Sequence, residues 1–151
     1  MVQPTPKALA ALYEADETAW LEQTAEFVRA GRFDQLDPGT LAEYLTDMAK
    51  RDRREVVSRL VVVLKHLLKW DHQPERRSRS WSGTIATQRI ELEDVLADNP
   101  GLKPRIDDAI TRAYRRARVE AANETELNLK TFPESCPYSF EDITSRPFPF
   151  E

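Results

Sequence analysis

The sequence is poor in the residues that hold small secreted proteins together. Cys136 is the only cysteine in 151 residues, which excludes an intramolecular disulfide and a metal site built from several cysteines. No apolar run of signal-peptide length stands near the start, so we expect a cytoplasmic protein. A chain of this length can bury a hydrophobic core without such staples, and residues 1–151 are predicted to form a single domain.

Long hydrophobic runs are also absent. The densest apolar stretch, Val56 to Trp70, is shorter than a membrane span requires and carries Arg59, Lys65 and His66. This stretch therefore predicts a buried helix, and no membrane partner is expected.

Motifs typical of enzymes and metal sites are missing as well. The sequence has no glycine-rich phosphate loop, serine elbow, metalloprotease helix, zinc-finger spacing or RNA-recognition motif. His66 and His72 are six residues apart, a spacing that does not bring them to one face of a helix. Cys136 would need a nearby base to act as a nucleophile, and a half-buried structural thiol is the expected role. We therefore predict no catalytic residue, no bound metal and no cofactor.

The net charge of −4 hides three segments of alternating sign. Residues 1–49 carry 3 basic and 9 acidic side chains, residues 50–89 carry 11 and 4, and residues 90–151 carry 8 and 13. The net charges of these segments are therefore −6, +7 and −5. Either the acidic arms neutralise the basic middle within the fold, or the basic middle faces a partner.

The spacing of apolar residues predicts an all-α protein. One apolar stripe recurs about every 3.6 residues from Leu41 to Trp70, and Asp37 followed by Pro38 marks the start of that helix. Only Asp52 interrupts the stripe, and pairing with a neighbouring arginine is expected. No segment alternates apolar and polar residues as a strand would. Main helices are predicted at residues 17–30, 38–71, 81–97 and 102–124, with a further helical turn near residues 9–13.

The predicted fold is a compact helical bundle of four to five main helices built around one long central helix. Residues 131–151 are predicted to form an irregular tail rich in proline and aromatic residues, whose aromatic side chains fill surface grooves. The tail holds one short helix at most, where Ser139 and Asp142 match a capping box. Alanines at steps of four, residues 109–121, would let another helix approach closely.

One irregular stretch, LLKWDHQPERRSRSW, packs three arginines between two tryptophans at residues 67–81. Hydroxyl side chains, free backbone N–H groups and the helix dipole at a helix start all favour an anion. The arginines would complete a phosphate, carboxylate or nucleic-acid site, and the tryptophans could stack on a base. The candidate binding residues are Trp70, Gln73, Arg76, Arg77, Ser78, Arg79, Ser80, Trp81 and Thr84.

A structural role for this stretch is the competing interpretation. Its arginines could form salt bridges with acidic residues of the N-terminal arm, with the tryptophans in the core. The acidic arms also argue against a broad phosphate-binding surface. The basic row Arg112, Arg115, Arg116 and Arg118 could extend a basic patch or form an ordinary solvated helix face.

Four segments together resemble the bacterial family called domain of unknown function 29. They are LYEADETAW, RAGRFDQLD, LKHLLKWDHQPERRSRSWSGTIATQR and FPESCPYSFEDI, and they span nearly the whole chain. The resemblance implies an all-helical bacterial protein of one domain, and it brings no activity, ligand or catalytic residue. From the residues alone we expect a helical interaction module that contacts itself or another protein, with nucleic-acid or phosphate binding at residues 76–79 as the alternative.

Overall fold

The computed structural model describes residues 6–149, which contain helices and no strand, so the predicted all-α class is confirmed. One helix, α3, is far longer than the others at 35 residues. Short 3₁₀ helices lie between several of the α-helices. The α-helices of the described residues are α1 (Pro6–Ala15), α2 (Glu17–Arg29), α3 (Pro38–His72), α4 (Arg79–Asp98), α5 (Ile106–Thr125) and α6 (Phe140–Ser145).

Polar side chains begin several helices as the sequence predicts. The Asp16 side chain accepts a hydrogen bond from the Ala19 backbone N–H at 3.0 Å, before α2. Asp37 accepts from the Thr40 N–H at 3.3 Å, at the start of α3. Before α6, Ser139 and Asp142 form the predicted capping box in both directions, at 3.0 and 2.9 Å. These caps satisfy N–H groups that have no partner inside the helix.

The contacts divide the chain into two compact units, and the division falls inside α3 between Lys50 and Arg51. In the first unit, Leu9, Trp20 and Phe27 form a small buried core. Tyr13 and Tyr44 pack their rings against Trp20, with centroids 4.9 and 5.5 Å away. The division lies within a helix and not within a linker. The expectation of a single domain stays a prediction.

The second unit contains the larger core. The α3 residues from Val56 to Trp70 supply more of its buried side chains than any other helix, as their nearly continuous apolar pattern predicts. Ile85 and Leu92 of α4 and the alanine row of α5 pack in the same core. The last three of those alanines are fully buried: Ala113, Ala117 and Ala121.

Some details differ from the sequence-based expectations. Leu45, which belongs to the predicted stripe, is 58% exposed. Asp52 forms no ion pair among the described residues. The predicted fourth helix starts late, at Ile106, because a 3₁₀ helix covers Pro100–Arg105. Pro104 has no N–H to donate and disfavours an α-helical conformation before it, which explains the delay.

Candidate functional site

The arginine-rich stretch forms the turn between α3 and α4. After α3 ends, a 3₁₀ helix covers Pro74–Arg76, and Ser78 caps α4 by accepting from the Trp81 N–H at 3.3 Å. The Gln73 side chain is buried. The backbone N–H of Gln73 donates to the Lys69 carbonyl, and the backbone carbonyl of Gln73 accepts from the Arg76 N–H, both at 2.9 Å. Gln73 and Ser78 therefore shape the turn.

Arg77 binds the end of α3. Its Nε–H donates to the Trp70 carbonyl at 2.8 Å, and its guanidinium carbon lies 5.2 Å from the centre of the Trp70 ring. Trp70 itself is only 3% exposed. An indole buried in this way cannot offer a face to a nucleic-acid base. The contacts of Arg77 and Trp70 hold the turn together, through a backbone carbonyl and a ring and not through the salt bridges that the structural interpretation of the sequence expects.

Trp81 is covered by a cation. The Lys69 ammonium lies 4.8 Å from the centre of the Trp81 ring and 3.4 Å from the Glu124 carboxylate. Lys65 contacts the same carboxylate at 3.2 Å. Burial raises the pKa of Glu124, but the two lysines outweigh burial and hold that pKa below its ordinary value. Trp81 thus takes part in packing between α3, α4 and α5.

The hydroxyl groups at the start of α4 bond to the helix itself. Ser82 Oγ donates to the Arg79 carbonyl at 3.1 Å, and Thr84 Oγ1 donates to the Ser80 carbonyl at 3.0 Å. These bonds point the hydroxyls along the helix. Ligand binding by Ser80 and Thr84 stays a prediction. The hydrogen bond from the Thr84 side chain to the Ser80 backbone carbonyl already gives both residues a structural role.

Two of the cluster's arginines remain available. Arg76 and Arg79 are exposed, and neither forms an ion pair or a side-chain hydrogen bond with any residue in the described range 6–149. The turn therefore separates its cations into two groups. Arg77 stabilises the fold, whereas Arg76 and Arg79 offer their guanidinium groups to solvent or to a partner.

The C-terminal tail packs on this turn. Arg146 forms a two-pronged ion pair with Asp71, at 2.7 and 3.0 Å, and the Tyr138 hydroxyl donates to the same carboxylate at 2.8 Å. Burial raises the pKa of Asp71, but these hydrogen bonds outweigh burial and hold the pKa below its ordinary value. Phe148 packs edge-on against Trp70, with ring centroids 4.8 Å apart. The tail aromatics therefore fill grooves as predicted.

Arginines outside the cluster fasten the tail by its carbonyl groups. Arg89 donates to the Ile143 and Asp142 carbonyls at 2.8 and 3.1 Å, near the end of α6. Arg118 donates twice to the Phe132 carbonyl, at 3.1 and 3.0 Å. Sequence reasoning missed both roles, because a backbone carbonyl carries no sequence signal. The one sequence signal that could have suggested a partner is that each residue is an arginine on a helix that otherwise packs in the core.

The basic row of α5 does not act as one patch. Arg118 holds the tail, and Arg116 pairs with Glu120 at 3.0 Å one turn later on the same helix. Arg112 lines a separate pocket. The hypothesis that these arginines extend the basic cluster of the turn therefore stays a prediction. Their contacts described above are not shared with Arg76, Arg77 or Arg79.

The outer face of α4 is an exposed stripe beside the turn. We use this name for Arg79, Gly83, Thr87, Ile90 and Asp94, all exposed. Successive helix side chains are about 100° apart, so these five fall within about 80° of one another. Ile90 is 61% exposed, and nothing lies within 4 Å of where a side chain at Gly83 would begin.

The thiol and imidazole groups show structural contacts. The Cys136 thiol donates to the Tyr138 carbonyl at 3.5 Å, and burial raises its pKa, the opposite of what a nucleophile needs. His66 Nδ1 lies 2.7 Å from the Val62 carbonyl, and burial lowers the pKa of the ring. In the part of the chain that the structure describes, no group of three or more His, Cys, Asp or Glu side chains could hold a metal ion. Across that same part, the helices are too short or too polar to cross a membrane.

Comparison with known proteins gives one match. Residues 12–149 match the model of a family described as domain of unknown function DUF29. No curated protein and no solved structure matches the chain.

Proposed function

The chain belongs to the family described as domain of unknown function DUF29, and we propose that it is a helical interaction module that acts through protein contacts and pairs with a second copy of itself. The pairing surface is the outer face of α4. The observation that carries this proposal is the self-complementary order of residues along that face.

Charge and shape are arranged symmetrically about the middle of α4. Arg79 begins the outer face and Asp94 ends it, while the open Gly83 and the exposed Ile90 stand between them. If a second α4 lies antiparallel with a two-fold axis beside Thr87, Arg79 meets Asp94 of the second copy. The same operation sets Ile90 of the second copy against Gly83. A two-fold interface requires this kind of self-complementary patch.

Gly83 supports a close approach between helices. A glycine in a helix interior costs roughly 1 kcal/mol relative to alanine, and no neighbour among the described residues explains it, since the space beside it is open. A shallow groove runs beside it, lined by Ser80, Thr84, Thr87 and Gln88. Small residues of this kind let a second helix come near enough for its side chains to fill the groove.

The size of the surface sets the expected strength. A 20-residue helix such as α4 is about 30 Å long, and one helix pair lies at the small end of specific protein interfaces. We therefore expect a reversible dimer whose population rises with protein concentration.

Light scattering across a range of protein concentrations tests the proposal. The wild-type mass should rise from 17.4 kDa toward twice that value. Gly83→Leu should remain at the monomer mass, because the added side chain occupies the space that the second helix needs. Its thermal stability should equal or exceed that of the wild type, since leucine is the better helix former.

Gly101→Leu is the matched control. Gly101 also has open space beside it but lies in the 3₁₀ helix before α5 and not on α4. This variant should dimerise as the wild type does. A wild-type protein that stays monomeric at every concentration, or a Gly83→Leu variant that still dimerises, would contradict the proposal.

Anion binding at the turn is the second candidate, favoured by Arg76 and Arg79, which are exposed and form no ion pair with the residues that the structure describes. Its test is a titration of labelled single-stranded DNA, followed by anisotropy at several salt concentrations. Binding that survives Gly83→Leu but disappears in Arg76→Ala/Arg79→Ala would support this candidate over dimerisation as the role of these arginines. Two guanidinium groups contact few phosphates, so we expect weak and strongly salt-dependent binding at most.

A further inference from the structure

A pocket in the second unit is lined by three arginines and by apolar side chains. Arg53 belongs to α3, Arg105 ends the 3₁₀ helix before α5, and Arg112 belongs to α5. The floor is made by the α3 and α5 side chains Val56, Val57 and Ala109 together with Leu102. None of the three arginines has an ion pair or a side-chain hydrogen bond anywhere in residues 6–149.

Two of these arginines reach the pocket from the chain around the start of α5. Arg105 ends the 3₁₀ helix immediately before α5, while Ala109 and Arg112 are three residues apart on α5 and lie on the same face of that helix. Ala109, between the two arginines, is small enough to leave the floor open. Across the pocket, α3 presents Arg53 one turn before the buried Val56.

The charges around the pocket do not balance. The lining holds three arginines and a single acidic residue, Asp108, which forms no ion pair with any of the three. Like charges held around a surface that water solvates poorly repel one another, and an anion placed between them relieves the repulsion. Guanidinium groups bind carboxylate and phosphate oxygens in the same two-pronged geometry.

The volume limits what fits. The cavity measures about 140 Å³, close to the roughly 150 Å³ of an engineered protein cavity that holds one benzene molecule. An occupant larger than one ring, or longer than a short branched carbon chain, would extend into solvent. The floor offers this occupant apolar contact, and the rim offers it positive charge.

We propose that this pocket binds a small organic anion, in which a carboxylate or phosphate ester is attached to an apolar group no larger than one ring. The arginines take the anionic group, and Val56, Leu102 and Ala109 contact the apolar group. Asp108 weakens the binding, because its carboxylate repels the ligand. This site is distinct from the outer face of α4 and does not depend on dimerisation.

Isothermal titration of the full chain with benzoate, phenyl phosphate and inorganic phosphate tests the proposal. At least one organic anion should bind with one-to-one stoichiometry and a Kd of about 1 mM or tighter, a reasonable strength for so small a ligand. Inorganic phosphate should bind at least about tenfold more weakly than phenyl phosphate, since it leaves the apolar floor exposed. The preference between benzoate and phenyl phosphate identifies the anionic group.

Variants that change the pocket in opposite directions complete the test. Arg105→Gln and Arg112→Gln should each weaken binding about tenfold, the usual loss when a hydrogen bond to a charged group is removed. Asp108→Asn should tighten binding several-fold, and a gain of this kind cannot come from partial unfolding. Arg115→Gln, an exposed cation on α5 that does not line the pocket, is the matched control and should bind as the wild type does.

Three results would overturn the proposal. The first is the absence of saturable binding by both organic anions. The second is equal binding of inorganic phosphate and phenyl phosphate, which would leave the floor without a role. The third is equal affinity in wild type, Arg105→Gln and Asp108→Asn, which would place any bound anion elsewhere on the chain.

Discussion

At the residue scale, the three neighbouring arginines of the turn do different work. Arg77 donates to the Trp70 carbonyl and stacks on its ring, whereas Arg76 and Arg79 have no partner among the described residues. Their shared sequence context could predict a cluster but could not separate them. The turn consists of a 3₁₀ helix followed by a cap, so neighbouring side chains leave it in different directions and no helical period applies.

Replacing Arg77 tests this division. Arg77→Ala should lower the free energy of unfolding by about 1 to 2 kcal/mol, the sum of one hydrogen bond and one cation–π contact. Arg76→Ala, one position earlier, should change it by less than about 0.5 kcal/mol, as exposed substitutions usually do. Urea denaturation followed by circular dichroism measures both. Equal losses in the two variants would show that the contacts of Arg77 contribute nothing particular.

His66 should make stability depend on pH. Burial and the charges of Lys69 and Lys65 lower its pKa, although the Val62 carbonyl partly opposes them. Below the ordinary histidine pKa of about 6.5, the unfolded chain therefore takes up a proton that the folded chain does not. The stabilisation is complete above that pH and is lost as the pH falls from there through the folded pKa.

The melting temperature should consequently fall between about pH 7.5 and pH 5.5 in the wild type. The melting temperature of the His66→Gln variant should fall less over the same pH range, because glutamine does not titrate. Differential scanning calorimetry at closely spaced pH values gives both slopes. The account of His66 fails if the two slopes are the same.

At the scale of elements, apolar periodicity and caps predicted most of the helices. The start of α3 after Asp37 and the capping box of α6 agree with the expected motifs. What the sequence could not predict is how the tail is held. Arg89 and Arg118 bind backbone carbonyls more than ten residues away along the chain, and such contacts leave no periodic trace. Two of the pocket's arginines, Arg53 and Arg105, were missed for a related reason, since α3 and the 3₁₀ helix before α5 line one pocket only through tertiary packing.

Two phenylalanines of the tail provide a matched test of its docking. Phe148 is 5% exposed, packs against Trp70 and lies beneath the guanidinium groups of Arg89 and Arg146. Phe140 is 40% exposed. Phe148→Ala should cost about 3 kcal/mol of unfolding free energy, as buried phenylalanines do, and Phe140→Ala less than about 1 kcal/mol. Chemical denaturation compares them, and a loss at Phe148 no larger than at Phe140 would mean that the tail does not stabilise the core.

At the scale of the whole molecule, the uneven charge distribution is only partly neutralised inside the fold. Lys65 and Lys69 of the basic middle pair with Glu120 and Glu124 of the acidic C-terminal segment, and Asp71 pairs with Arg146. The cations left over among the described residues include Arg53 at the anion pocket and Arg79 on α4. The sequence showed the charge imbalance, but only the packing shows which cations form no ion pair within residues 6–149.

The most direct test of the central claim, pairing through the outer face of α4, is a charge exchange between Arg79 and Asp94. Sedimentation equilibrium should give dimer dissociation constants for the wild type, Arg79→Glu, Asp94→Arg and the double variant. Each single change places like charges opposite each other at both 79–94 contacts of the symmetric dimer. It should therefore weaken dimerisation about tenfold or more. The double variant restores opposite charges at both contacts and should recover dimerisation close to that of the wild type. Single variants that dimerise normally, or a double variant that is weaker than either single one, would contradict the antiparallel pairing of α4.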